Sequence, residues 1–395
     1  METGLPSQLS DGGRAAPHMR ITGVRVHHLS ARLKERFGWS LNWHDQRQAT
    51  VVEVATDAGL TGWGEGPCAA GLIAQRPELV IGRSPFEVEA IYDELREPPG
   101  HQRRPGAPSS AGLDVALWDL AGKALGLPVS HLLGRRYRDR VAAYCTALYR
   151  QDWPDLAEGL ANEARCWAAR GFRAMKMKIG YSAETDARIV RAVREAIGGS
   201  VGLAVDSNCA YDAGTAIRLG GRLEELDLMW WEEPLLAADL AGYTRLKSAI
   251  RIPLAGGETE SLDWLIANYI QPRLLDIIQP DVVNVGLTGA RSLSRLCWLA
   301  GLRLLPHNWG TAIRTAATLH WMSCCPPLTP ALNPPEVMLE FDQSENPLRD
   351  AVVAQPIRFD PADGRVAVPA APGLGITVVR EAIEEYRTEL ATIGG

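Results

Sequence analysis

The 395-residue sequence has no uninterrupted apolar run near the roughly 20 residues that a membrane-spanning helix needs, so it offers no spanning segment. Its first 18 residues, "METGLPSQLSDGGRAAPH", lack the apolar stretch of a secretory signal. They are expected to form a flexible tail, with folded sequence starting at Met19. Cysteine is sparse: seven residues, odd in number and scattered, with no metal-type CxxC pair. That argues against a disulfide scaffold and for a reduced, cytoplasmic setting. The adjacent Cys324 and Cys325 sit in an apolar run and read as small core residues. A strong charge of either sign is missing too. A net charge of −6 gives no reason to expect nucleic acid or an anionic membrane as partner. Nothing is low in complexity, and no repeat exceeds a β-strand plus a helix.

What remains is the composition of a globular enzyme, 46 % hydrophobic and 22 % charged. The chain is too long for one ordinary core and suits a large barrel with a smaller domain. Residues 20–29, "RITGVRVHHL", and 50–56, "TVVEVAT", alternate as strands do, and "TGWGEG" follows as a third, predicting an antiparallel meander. Helical patterning covers 85–97. A longer helix occupies "SSAGLDVALWDLAGKALG", with Gly126 stopping it and Pro128 keeping it stopped.

From about 140 the rhythm changes. Short apolar strands, "VAAYCTA", "FRAMKMKIG", "VGLAVD", "LDLMWWEEP", "IPLAGGE", "LLDIIQPD", "LRLLPH" and "EVMLEFD", alternate with amphipathic helices. Eight such units predict an α/β fold, a (β/α)8 TIM-like barrel. The expected division is a tail over 1–18, an α+β capping domain over 19–137, the barrel over 138–349, and a segment over 350–395 that completes the discontinuous capping domain.

The second strand, "FRAMKMKIG", carries Lys176 and Lys178 on one face, because strand side chains alternate with period two. A solvated face is the ordinary reading of such a pair. Three acidic residues change it. Asp206, Glu232 and Glu258 each close a strand, at equal steps of one βα unit. Successive strand ends lie side by side at the C-terminal mouth of a barrel, so the three carboxylates converge there. Packed together they repel unless a cation neutralises them. An all-oxygen donor set favours a hard ion such as Mg2+. Asp281 and His307 end the sixth and seventh strands, close enough for the carboxylate to hold the imidazole. The two lysines then face a barrel interior that holds a metal-bound ligand.

Together these features resemble the enolase superfamily, and within it the mandelate racemase branch, over nearly the whole chain from Met19. "KMK" is similar to the family's Lys-x-Lys. "VDSN", "WWEEP" and "GGE" resemble its metal-ligand strand ends, "QPD" and "PHNWG" its Asp–His dyad, and "SAGLDVALWDLAGKALGLPVSHLLG" its signature helix. The resemblance implies Mg2+ on Asp206, Glu232 and Glu258, Lys178 as base, and Asp281 with His307 as the second proton-transfer group. It places Lys176, Asn208 and Glu340 beside the substrate carboxylate. Lys176 and the metal are expected to depress Lys178. No lysine ends the sixth strand, where Asp281 stands, which argues against the muconate-lactonizing branch.

The lid is expected over 32–46, with Phe37, Trp39, Trp43 and His44 as aromatic candidates and Trp39 and Trp43 as substrate contacts; 62–71 would join it. The implied substrate is a small-molecule carboxylate, an acid sugar or its lactone, and the implied assembly a homo-oligomer. The favoured activity is dehydration of an aldonate or aldarate. Cycloisomerisation of a sugar lactone and racemisation of a 2-hydroxy acid are the alternatives, and a non-catalytic binding barrel the remote one.

Overall fold

The computed structural model describes residues 18–40, 42–97 and 109–394, so all but the last residue of the expected tail lies outside the described residues. Strands β1 (Ile21–Trp39), β2 (Asn42–Thr56) and β3 (Thr61–Glu65) form the antiparallel meander. Val51, Val52 and Val54 are buried on both faces of β2, which lies between β1 and β3. The helix Ala111–Leu125 packs on this sheet and ends at Gly126, whose φ of 68° is the left-handed turn that glycine adopts without strain.

β1 and β2 run well past the ends legible in the sequence. Their pairing continues to Trp39 and Asn42, so the expected lid is a hairpin continuous with the sheet rather than an irregular loop. A register shift between Arg32 and Phe37 separates its tip from its base.

The barrel follows: β4 (Arg140–Thr146), β5 (Ala174–Lys178), β6 (Gly202–Asp206), β7 (Leu228–Glu232), β8 (Leu254–Gly256), β9 (Ile277–Ile278), β10 (Arg303–Leu304) and β11 (Met338–Asp342). β4 to β10 are parallel neighbours in chain order, and β11 pairs in parallel with β4. Between β10 and β11 the seam is held by Asn308. Its backbone N–H donates to Glu340 Oε2 (3.0 Å) and its amide to the Glu340 carbonyl (3.0 Å). β5 is buried along its whole length, Lys176 included at 0 % exposure. The lysine face is therefore the barrel interior. The residues beyond 350 divide between the two bodies: β12 (Phe359–Asp360) and β13 (Arg365–Ala367) extend from β4, whereas β14 (Arg387–Gly394) pairs with β1. Cys325 is buried and Cys324 partly so, and all seven cysteines are free.

One buried histidine gives a pH prediction. His320, in the helix Ala312–Cys324, accepts a hydrogen bond from the Ser130 N–H at 3.2 Å. Burial pushes it down to about 4. Between its ordinary value and that one, the unfolded chain takes up a proton that the folded chain refuses. Stability should thus be undiminished above about pH 6.5 and fall as pH drops towards 4, by up to about 3 kcal/mol from this residue. Denaturant melts at pH 7 and 4.5 should show the loss, and His320→Asn should shrink it.

Candidate active site

The barrel strands and the segments just past them deliver side chains to one mouth. Lys178, Asp206 and Glu232 end β5, β6 and β7. Glu258 lies two residues beyond β8, and Asp281 and His307 three beyond β9 and β10, rather than at the strand ends expected. Lys178 on β5 ion-pairs with Asp206 on β6 and donates to Asn208 Oδ1 at 3.0 Å. Lys176 Nζ lies 2.5 Å from Glu232 Oε1, 2.9 Å from Glu340 Oε1 and 3.5 Å from Asp206 Oδ2. Glu232 Oε2 accepts from Gln279 (2.6 Å) and from the Trp230 indole (3.0 Å). At the far side His307 Nε2 sits 3.4 Å from Glu258 Oε2 and 3.8 Å from Glu340 Oε2, while its Nδ1 faces Asp281. Asp281 also pairs with the buried Arg314 guanidinium. With Asp281 accepting from the Nδ1–H, Nε2 is left toward the centre, where the imidazolium form would present its second proton.

Oxygen atoms of Asp206, Glu232 and Glu258 lie within 4.8 Å of one another. Four carboxylates, with Glu340, face only two ammonium groups. The crowding is felt: burial, together with the charges of Asp206, Glu340 and Glu258, pushes Glu232 up to about 8 against the pull of Lys176. Glu258 Oε2 is buried without a hydrogen-bond donor. Surplus negative charge, an all-oxygen donor set and an unsatisfied oxygen all fit a hard cation. Glu340 is the exception. Burial opposes its ionisation, but Lys176 and His307 hold it well below the usual range. It is the anion paired to the protein's own cations.

Lys178 departs from expectation. Burial lowers it and Lys176 acts in the same direction, but Asp206 outweighs them, and the ammonium is held above its usual range. The depression a base needs must therefore come from charge brought to the carboxylates, not from Lys176.

Over this mouth lies the hairpin tip. The Trp39 ring centroid is 5.5 Å from Lys178 Nζ, His44 stacks on it at 3.6 Å, and Trp309 meets it edge-on at 5.4 Å. Trp309 donates to the Tyr149 hydroxyl at 3.0 Å, and Tyr149 packs 4.7 Å from Phe37. The hairpin is seated by two backbone hydrogen bonds between Gly38 and Arg150 (2.9 and 2.8 Å). At its base Arg47 donates to Asp342 (3.0 Å) and stacks on Trp309 at 3.4 Å. Burial, then Arg47 and Lys178, hold His44 below its ordinary value, as a neutral ring. Trp43 is not part of this wall. The register pairs it with Gly38, and it lies between the guanidinium groups of Arg36 and Arg150.

Two family models cover this architecture. Residues 21–134 match the mandelate racemase / muconate lactonizing enzyme N-terminal domain, and residues 159–382 the enolase C-terminal domain-like model. The chain belongs to the mandelate racemase / muconate lactonizing enzyme family, within the enolase superfamily. It is 37 % identical to a D-galactarolactone cycloisomerase of Agrobacterium fabrum, over 93 % of this chain and 99 % of that protein. An arabinonate dehydratase of Saccharolobus solfataricus is 31 % identical over 86 % and 91 %. Among solved structures, the 3,6-anhydro-D-galactonate cycloisomerase from Zobellia galactanivorans superposes with a TM-score of 0.81 at 33 % identity, covering 94 % of this chain and all of that one. Relatives in this family are lyases and isomerases, and this chain is an enzyme of that kind.

The structure adds four residues that the family motifs did not single out. Gln279 opens the "QPD" stretch, two residues before Asp281. Tyr149 and Trp309 follow strand ends. Arg314 comes seven residues after His307, in the first turn of a helix, where nothing local marks it.

Proposed function

We propose that this enzyme removes the proton α to the carboxylate of an acid sugar or sugar lactone and expels the β-oxygen, with Lys178 as base and His307 as acid. The observation that carries the reading is the order of groups across the mouth. Lys178 and His307 flank one row of carboxylates from two sides, Lys178 touching Asp206 and His307 Nε2 facing Glu258. Asp206, Glu232 and Glu258 would hold Mg2+, which when bound supplies the positive charge that acidifies the α-proton. Lys176 and Asn208 would meet the substrate carboxylate, and Glu340 anchors Lys176. Asp281, accepting from the Nδ1–H, aims the Nε2–H of the His307 imidazolium, the proton to be given up, at the leaving oxygen. Trp39, backed by Tyr149 and Trp309, would offer its ring to the C–H side of a sugar. In this reading residues 138–349 carry the chemistry, while 19–137 with 350–395 select the substrate.

Removal of the α-proton leaves an electron pair that forms a C=C bond as the β C–O bond breaks. If the leaving oxygen is a hydroxyl, it must take a proton from His307 and departs as water, which is dehydration. If it is the ring oxygen of a lactone, it leaves as a carboxylate, no atoms are lost, and the reaction is an isomerisation. The acid in place supports the first; the likeness to a D-galactarolactone cycloisomerase favours the second.

His307→Asn separates them. Hydroxide leaves poorly without an acid, so dehydration of an open-chain acid should fall by about 10²- to 10⁴-fold while α-proton exchange with D2O continues. Opening of a lactone should lose much less. The check is a panel of aldonates, aldarates and aldarolactones with Mg2+, read for 2-keto acid and for deuterium incorporation. Equal turnover of dehydration substrates by His307→Asn and wild type would remove His307 from the acid role. Failure of the wild-type enzyme on the whole panel would defeat the substrate class.

A further inference from the structure

The Asp281–His307 pair follows two short strands that contribute two ladder residues each, with one further backbone bridge between the pair itself, so support from outside the sheet matters to its placement. That support comes from the N-terminal body. Glu65, the last residue of β3, is buried, and its carboxylate accepts from the Thr311 N–H (3.1 and 3.2 Å), the Thr311 hydroxyl (2.5 Å) and the Arg314 N–H (3.2 Å). It therefore caps, from another domain, the helix that begins just after His307 and carries Arg314.

A second carboxylate does the same one unit earlier. The helix Val282–Ala300 has Asp281 at its N-cap and breaks at Gly286. Beyond the break the helix restarts, and Asp114 from the helix Ala111–Leu125 accepts from the Thr288 N–H (3.0 Å) and hydroxyl (2.5 Å). The Val285 carbonyl, within the broken stretch, accepts from the Tyr92 hydroxyl at 2.7 Å. Both seats are shaped by glycine. A Cβ on Gly310 would stand 2.3 Å from Glu65 Oε1, and one on Gly286 would stand 2.5 Å from Asp114 Oδ2.

We propose that Glu65 and Asp114 are positioning residues, each clamping to the N-terminal body the barrel segment that carries one member of the Asp281–His307 pair. Lys178, on β5, is outside both clamps. Loss of a clamp should therefore slacken the imidazole and leave the lysine in place. The kinetic part of this inference rests on the proposed function; the positional part does not.

The test uses the full-length enzyme with 13C-labelled histidine, the His307 ring signals being assigned by their loss in His307→Asn. In Glu65→Gln those signals should shift and broaden. Turnover should fall about 10- to 100-fold, the size of effect that a misplacement near 1 Å produces, with KM and α-proton exchange each within about threefold of wild type. Gly310→Ala, which fills the seat and leaves the carboxylate, should act the same way and serves if Glu65→Gln does not fold. Asp114→Asn should act in the same direction through Asp281. Asp119→Asn is the structural control. That buried carboxylate accepts from the Trp63 and Leu374 N–H groups and pairs with Lys123, so its loss should lower Tm without altering the His307 signals or the ratio of turnover to exchange. Unchanged His307 signals in both Glu65→Gln and Gly310→Ala would overturn the proposal, as would a parallel loss of exchange and turnover. If the wild-type enzyme turns over no acid sugar or lactone, only the functional reading falls, and the ring signals decide the clamp alone.

Discussion

Lys178→Ala is expected to abolish turnover and α-proton exchange together, each by at least about 10²- to 10⁴-fold, the range for removal of a general base. The fold should survive, because the group removed lies at the rim of the barrel and Asp206 keeps Lys176 at 3.5 Å. Exchange is the decisive readout, since it reports proton removal even when no product forms. Deuterium incorporation at the wild-type rate would move the base elsewhere, to His307, and would imply a substrate of the opposite α-configuration. The charge balance adds a second expectation. The protein's own groups hold Lys178 above its usual range, Asp206 outweighing burial and Lys176. A base at that value is idle near neutrality. Neutralising Asp206 should lower it, so the pH at which activity rises should move downward as Mg2+ approaches saturation. A rise that stays fixed across Mg2+ concentrations would contradict this.

Glu232→Gln should be the second silent enzyme. Glu232 is central in the row: it shares the cluster with Asp206 and Glu258, and it also takes Lys176, Gln279 and Trp230. Gln keeps the shape and one acceptor but removes a charge, so a divalent cation loses one of three neutralising ligands. Calorimetric titration with Mg2+ or Mn2+ should show binding to wild type and little or none to Glu232→Gln, with turnover lost in parallel. The circular dichroism spectrum should be retained. Chelator should silence the wild-type enzyme, and Mg2+ should restore it. Full activity in excess chelator would sink the metal site and with it the acidification of the substrate.

Much of this was readable in the chain because barrel geometry is local. A strand of five residues ends where its apolar run ends, and the residue there points to the mouth. That is why Asp206 and Glu232 could be selected at their strand ends, and the even spacing picked out Glu258 although it stands two residues past the short β8; the structure brings all three within one ion's reach. Glu340 was harder to place because its strand follows a long proline-rich connection. Strand parity still sets Met338, Glu340 and Asp342 on one face, and the Thr146 hydroxyl, which donates to Glu340 at 2.7 Å, secures it. Contacts that cross from one body to the other left no mark. Glu65 and Arg314 lie 249 positions apart, and a helix that already has Thr311 as its own N-cap gives no sign that a distant carboxylate caps it as well. Trp43 shows the opposite failure. Its composition suggested the lid wall, but which face it takes depends on the hairpin register, and that is set by pairing rather than by residue type.

The continuity of β1 and β2 through the lid has a consequence for how substrate preference can change in descendants of this enzyme. A loop accepts insertions and deletions freely; a paired hairpin does not. Adding one residue within β1 just after Phe37 would turn the positions beyond it to the opposite face and take Trp39 away from Lys178. Drift in length is thereby closed off, and new preferences should arise by exchange of single side chains at 37, 39 and 44. The substrate wall can be repainted but not rebuilt.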